Sequence, residues 1–169
     1  MSNNAYYTMM NQLIGRPNCA AFALVDGLQY ERHFGKELTI ESGVTAPLFN
    51  IGPDARIAFA GPWLIFLHTT ETYRKELQEL EGEFPSVSWL LSSWTLEKLV
   101  GHFKYFLDLQ LPDGRCALFR FYDPRVLENI KLLLDERDYE TFTTCAEAWF
   151  LTLNNKTSNV LGQSDYYWR

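Results

Sequence analysis

The chain has 169 residues, enough for one domain with a sizeable core, and an ordinary globular composition of 47% hydrophobic and 21% charged residues. A formal net charge of −6 argues against a nucleic-acid backbone as partner, and no apolar run approaches the length of a membrane span. Three widely spaced cysteines (Cys19, Cys116 and Cys145) form neither a disulfide framework nor a zinc motif. Free thiols in a reducing cytosol are the simplest account of them, and residues 1–7 lack the basic and apolar regions of a secretory signal. The expected location is therefore the cytoplasm. Aromatic residues make up 15%, a supply of buried area and of interface anchors.

In chain order, residues 4–14 place Tyr6, Met9, Met10 and Leu13 at helical spacing until Gly15 and Pro17 stop the pattern. This predicts a short amphipathic helix, packed on the domain or held by a partner. Residues 20–25 are a continuous apolar run that suits a buried strand. Gly27 permits the turn that follows, and Asp26 has the chemistry of a helix N-cap. Residues 28–38 are a weaker helix, and residues 43–53 read as a loop with Pro47-Leu48-Phe49 as an extended, buried anchor. Gly61-Pro62 opens a second buried strand, with Pro62 suited to its first position. Over residues 71–82, Tyr73, Leu77, Leu80 and Phe84 share one helical stripe, and Glu71, Glu76, Glu79, Glu81 and Glu83 lie on a face read as solvated. Residues 86–91 predict a third strand. Thr95 then caps a strongly amphipathic helix over 96–107.

The stretch from 109 to 127 reads as strand, tight turn, strand and abrupt helix start. Pro112-Asp113-Gly114 supplies the turn. Along 115–122, Cys116, Leu118, Arg120 and Tyr122 alternate with Ala117, Phe119 and Phe121, and both faces are largely apolar, which predicts a central strand covered on both sides. Asp123 and Pro124 suit the N-cap and first position of a helix whose stripe is Val126, Leu127, Ile130, Leu133 and Leu134. Residues 147–153 predict a last strand. The expected fold is α/β (mixed α+β): a single domain with a central mixed β-sheet of about five to six strands flanked by amphipathic helices. Its parts are an N-terminal helix (1–17), the α/β domain (18–153) and a polar tail (154–169) that ends in aromatics.

His33, His68 and His102 are scattered, with no ligand partner at metal-binding spacing, and Ser92-Ser93 lacks a nucleophile elbow. No catalytic, cofactor-binding or metal-binding residue is assigned. Four groups fall at strand ends: Asp26, Arg120, Asp123 and Arg125. The preferred reading is a structural polar cluster, in which carboxylates cap helices and arginines are paired. The competing reading, an enzyme or anion-binding site at the strand ends, stays open. Candidate partner contacts are Tyr6, Met9 and Met10 in the first helix, and Tyr166, Tyr167 and Trp168 in the tail.

Five segments occur in a fixed order: Ala23-Leu-Val-Asp-Gly27, Pro47-Leu-Phe49, Gly61-Pro-Trp-Leu64, Trp89-Leu-Leu-Ser-Ser93, and Leu111-Pro-Asp-Gly114 running on to Arg120-Phe-Tyr-Asp-Pro-Arg-Val-Leu127. In this the chain resembles the domain of unknown function found in effector chaperones, or adaptors, of type VI secretion systems. The resemblance covers about residues 20–135. It implies a bacterial cytoplasmic protein without cofactor or enzymatic activity, which binds one cognate toxic effector and helps load it onto the VgrG spike. Longer relatives carry a C-terminal extension, of which little is present here. An immunity-type inhibitor of a toxin is a further alternative.

Overall fold

The apolar run after Cys19 becomes β1 (Ala20–Asp26), the strand from which the computed structural model builds outward; the structure describes residues 4–49, 57–68 and 71–162. On one side β1 pairs with β3 (Pro62–Phe66), which in turn pairs with β2 (Thr45–Pro47). On the other side it pairs with β4 (Val87–Ser92), followed by β7 (Ala148–Leu153) and β8 (Lys156–Asn159). The sheet order is β2-β3-β1-β4-β7-β8. This is the α/β architecture expected, with one correction: every pairing is antiparallel, so the sheet is not mixed. The strands β3 and β4 are joined through α3 (Glu71–Glu83) and run the same way, but β1 lies between them and no parallel pair shares hydrogen bonds.

Strand alternation explains why β1 is apolar throughout. Phe22 and Leu24 face a layer of α4 (Leu96–Phe106), α5 (Pro124–Leu127), α6 (Ile130–Leu133) and α7 (Glu136–Thr143). Ala21, Ala23 and Val25 face α1 (Ala5–Leu13), α2 (Gly27–Phe34) and α3. The sheet is thus sandwiched between two helical layers. Asp26 continues the Phe22–Leu24 side and points toward the layer that holds α5. The caps expected at Asp26, Thr95 and Asp123 all form, each side chain accepting a backbone N–H of the first turn.

Several expectations are corrected. Residues 109–122 do not supply a central strand. Two short strands, β5 (Asp108–Gln110) and β6 (Cys116–Leu118), form a separate hairpin in which Cys116 and Leu118 are exposed. Strand geometry ends at Leu118, and a turn closed by Asp123 N–H on the Arg120 carbonyl (3.0 Å) lets adjacent Phe121 and Tyr122 both enter the core. The helix from Pro124 breaks at Asn129 into α5 and α6, leaving Leu132 and Leu133 exposed, and α7 follows unanticipated. The loop at 43–53 contains the edge strand β2. The segment from 154 is not simply a tail. Asn154 and Asn155 take left-handed φ of 52° and 62°, a tight turn that returns the chain as β8, and Val160 is buried beyond it. Among the described residues no helix is long and apolar enough to cross a membrane.

Candidate functional site

Three of the signature segments, at 23–27, 47–49 and 61–64, meet at one end of the sheet, and residues 120–125 of a fourth lie beside them. Asp26 ends β1: its carboxylate accepts the Leu28 N–H (3.1 Å) and its own N–H donates to the Ser86 carbonyl (2.9 Å). The next N–H, of Gly27, donates to the Gly61 carbonyl at 2.8 Å. That approach leaves no room for a side chain, since a Cβ on Gly27 would stand 2.0 Å from the Phe59 carbonyl oxygen and 2.7 Å from that of Gly61. Gly61 is covered by the Phe49 ring, 2.3 Å from where its own Cβ would be. The Leu48 N–H donates to the Pro62 carbonyl (2.9 Å), and the Trp63 indole donates to the Phe59 carbonyl (3.2 Å). Segments 26–27, 47–49 and 61–63 therefore interlock, and glycine is required where backbones touch.

The four charged residues singled out from the sequence lie beside this knot. The Arg120 guanidinium stands 4.0 Å from the Asp26 carboxylate. Asp123 caps α5 through the Arg125 N–H (2.9 Å) and takes the Arg125 guanidinium in two bonds, at 3.0 and 2.8 Å. Both carboxylates are buried, whereas the Arg120 and Arg125 side chains are 53% and 55% exposed. Burial pushes the Asp26 carboxyl up from its ordinary value, against the opposing pull of the Gln29 and Leu28 N–H groups and Arg120. Burial acts the same way on Asp123, but the Arg125 bonds outweigh it and hold that carboxyl below the usual range. Arg125 also lies over the Phe84 ring (5.3 Å) and Arg120 over Tyr122 (5.5 Å). The carboxylates are thus committed to caps and partners, and the arginines form the solvent face. Replacing Asp123 with Ala removes a cap and leaves Arg125 unpaired; urea denaturation should show a loss of roughly 1–2 kcal/mol.

The first helix faces inward more than a partner-contact role needs. Tyr6 and Met9 are buried, with Tyr6 edge-on to Trp89 at 5.0 Å, and Met10 is half-buried. Two of these three candidates are core anchors of α1. Tyr166, Tyr167 and Trp168 lie outside the described residues. Large apolar side chains are instead exposed at Ile14, Tyr105 and Leu132. His33 meets Glu79 at 2.6 Å, His68 accepts the Ala21 N–H at 2.8 Å, and a His102 ring nitrogen meets the Phe142 carbonyl at 2.8 Å. Among the described residues no three potential metal ligands come together. Cys145 is buried, and burial pushes its thiol up to about 12.

Sequence reasoning missed Glu81, which it placed on a solvated face. Glu81 is half-buried and accepts the Trp89 indole N–H at 2.8 Å and a bond from Thr152. Burial pushes its carboxyl up to about 7, with the Trp89 and Thr152 bonds pulling the other way. The signal was in β4: a tryptophan inside an apolar strand needs an acceptor for its N–H. Glu81 lines a cavity of about 360 Å³ together with Asn4, Gln78, Phe84, Asn154 and Asn155, residues from three distant segments. A raised carboxyl means the folded state keeps a proton the unfolded chain loses above about 4.5. Stability from this group therefore falls as pH rises from about 4.5 to about 7, by up to about 3 kcal/mol. Glu81→Gln keeps an acceptor for Trp89 and should remove that part of the slope, stabilising the protein more at pH 8 than at pH 5 in urea melts.

A family model described as a domain of unknown function, DUF4123, matches residues 21–140. The five signature segments all fall inside that span, as do Asp26, Arg120, Asp123 and Arg125. No curated protein and no solved structure matches the chain. Since the interlocked sheet end and its charged cluster lie within a match that covers well over half of the 169 residues, the chain belongs to the DUF4123 family.

Proposed function

We propose that this protein is a type VI secretion chaperone, or adaptor, that binds a cognate toxic effector in the bacterial cytoplasm and helps load it onto the VgrG spike. It acts by binding and transforms no substrate. The observation that carries this reading is membership of the DUF4123 family over residues 21–140, joined to the resemblance of its ordered segments to such adaptors. The charged cluster supports it. The Asp26 and Asp123 carboxylates are occupied by helix caps and arginines, an arrangement that braces a fold more readily than it moves protons. Exposed Ile14, Tyr105 and Leu132 are apolar side chains available to a polypeptide partner.

The test is delivery. In cells lacking this gene, the effector encoded beside it should fall in abundance and fail to intoxicate neighbours, while the secretion machine still fires. If cells lacking the gene are instead poisoned by their own effector even with secretion disabled, the protein is an immunity factor and the adaptor reading is wrong.

A further inference from the structure

The cavity at Glu81 is unused by the charged cluster. It opens between the end of α3, the residues that start α1 and the Asn154–Asn155 turn. Its polar lining offers oxygen acceptors: the Glu81 and Glu83 carboxylates and the side-chain amides of Gln78, Asn154 and Asn155, beside Asn4, whose amide oxygen caps α1 through the Tyr7 N–H at 3.0 Å. Among the described residues, no lysine or arginine lines it. The C-terminal end of α3 adds carbonyl groups carrying partial negative charge. Across its Phe84 wall lies the Arg125 guanidinium, already held by Asp123 at 2.8 Å. A volume of about 360 Å³ suits a side chain with flanking backbone and falls at the low end of small-ligand sites, roughly 300–1,000 Å³.

The cavity is one end of a longer trough. Gln78 also lines a second cavity of about 180 Å³, where α3 presents Glu71, Arg74 and Lys75 opposite Tyr6 and Tyr7 of α1, with Lys75 3.8 Å from Glu71. Among the described lining residues, carboxylates supply all the charge of the first cavity, whereas the second carries both signs. That contrast favours an extended segment whose basic residue enters the first cavity.

We propose that this cleft binds a lysine or arginine side chain from an extended segment of a polypeptide partner, with the Glu81 carboxylate as its counter-ion. Glu81 is fixed for this role by the Trp89 indole, and Thr152, its other partner, is held in turn by the Ala5 N–H at 3.0 Å. The surrounding amides take the remaining ammonium or guanidinium protons and the segment's backbone. The inference rests on the reading of the protein as a polypeptide-binding module and locates part of the surface that module uses.

The test uses the full chain, labelled with nitrogen-15, at pH 8, and three capped pentapeptides: Gly-Gly-Lys-Gly-Gly, its norleucine counterpart and its glutamate counterpart. The lysine peptide should shift the Trp89 indole resonance and the Asn4, Asn154 and Asn155 side-chain amides saturably. It should bind at least about 10-fold more tightly than the norleucine or glutamate peptide, and Glu81→Gln should remove that preference. Equal binding of the three peptides, or shifts confined to other parts of the protein, overturns the proposal. A second arm separates it from the adaptor reading. If the adjacent-encoded effector binds wild-type and Glu81→Gln protein equally, the cleft is not its contact and the adaptor reading survives. If the effector binds neither, that reading fails, and the peptide titration alone decides the cleft.

Discussion

Gly27→Ala should cost at least about 3 kcal/mol of folding stability and lower the melting temperature by about 10 °C, or prevent accumulation of folded protein altogether. The added methyl would lie 2.0 Å from the Phe59 carbonyl oxygen, 2.7 Å from that of Gly61 and 2.8 Å from the Trp63 ring. Two of these three neighbours are backbone atoms, and they sit in the segment that supplies β3, so the sheet itself must part. The loss of the 2.8 Å Gly27–Gly61 hydrogen bond would follow. Gly101→Ala is the matched control. It lies exposed within α4 with nothing within 4 Å of the new carbon, so helix propensity alone predicts a gain of roughly 0.5–1 kcal/mol. Thermal melts of the two variants separate the effects. A Gly27→Ala protein melting within about 2 °C of wild type would show that the backbones do not approach as described.

The largest side-chain effect is expected at Trp149. It is fully buried in β7, stacked on Phe142 at 5.4 Å and packed against Phe103 at 5.6 Å, with Phe121 touching both of those rings. These rings join the sheet to α4 and α7. Trp149→Ala should cost about 3–5 kcal/mol, a large fraction of the roughly 5–15 kcal/mol that holds a domain of this kind together. The indole N–H donates to Ser88 Oγ across the sheet at 3.0 Å, in a site where both residues are buried. Ser88→Ala therefore orphans a buried donor and should cost about 1–3 kcal/mol without leaving a large void. Urea titrations of the two single variants and the double variant test the pairing. Once Trp149 is gone, Ser88→Ala should cost much less.

What could be read from the chain was what local chemistry dictates. Short apolar runs placed β1 and β4, helical stripes placed α3 and α4, and Asp26, Thr95 and Asp123 announced their caps. The charged cluster was legible too, because strand-end carboxylates beside arginines need partners and found one another. What escaped depends on pairing across distance. A period-two pattern cannot tell a central strand from a short hairpin after which Phe119, Phe121 and Tyr122 turn into the core. Nor can it show that β1 enters between β3 and β4 and makes every pair antiparallel. Asn154-Asn155 is a hairpin turn only because β8 finds β7. Glu81 looked like one more glutamate on a polar face until Trp89 of β4 and Thr152 of β7 closed over it. Gly27 looked like a turn former, and it also marks where backbones come into contact, while Gly61, read as the opening of a strand, lies under the Phe49 ring.

The central claim is that this fold works by holding another polypeptide. Size-exclusion chromatography and calorimetry of the purified protein with the proposed partner, a candidate effector encoded next to it, measure that directly. The account predicts a discrete complex of defined stoichiometry with a dissociation constant of about 1 μM or tighter. Two folded proteins that elute separately and release no heat at concentrations of about 100 μM would contradict it.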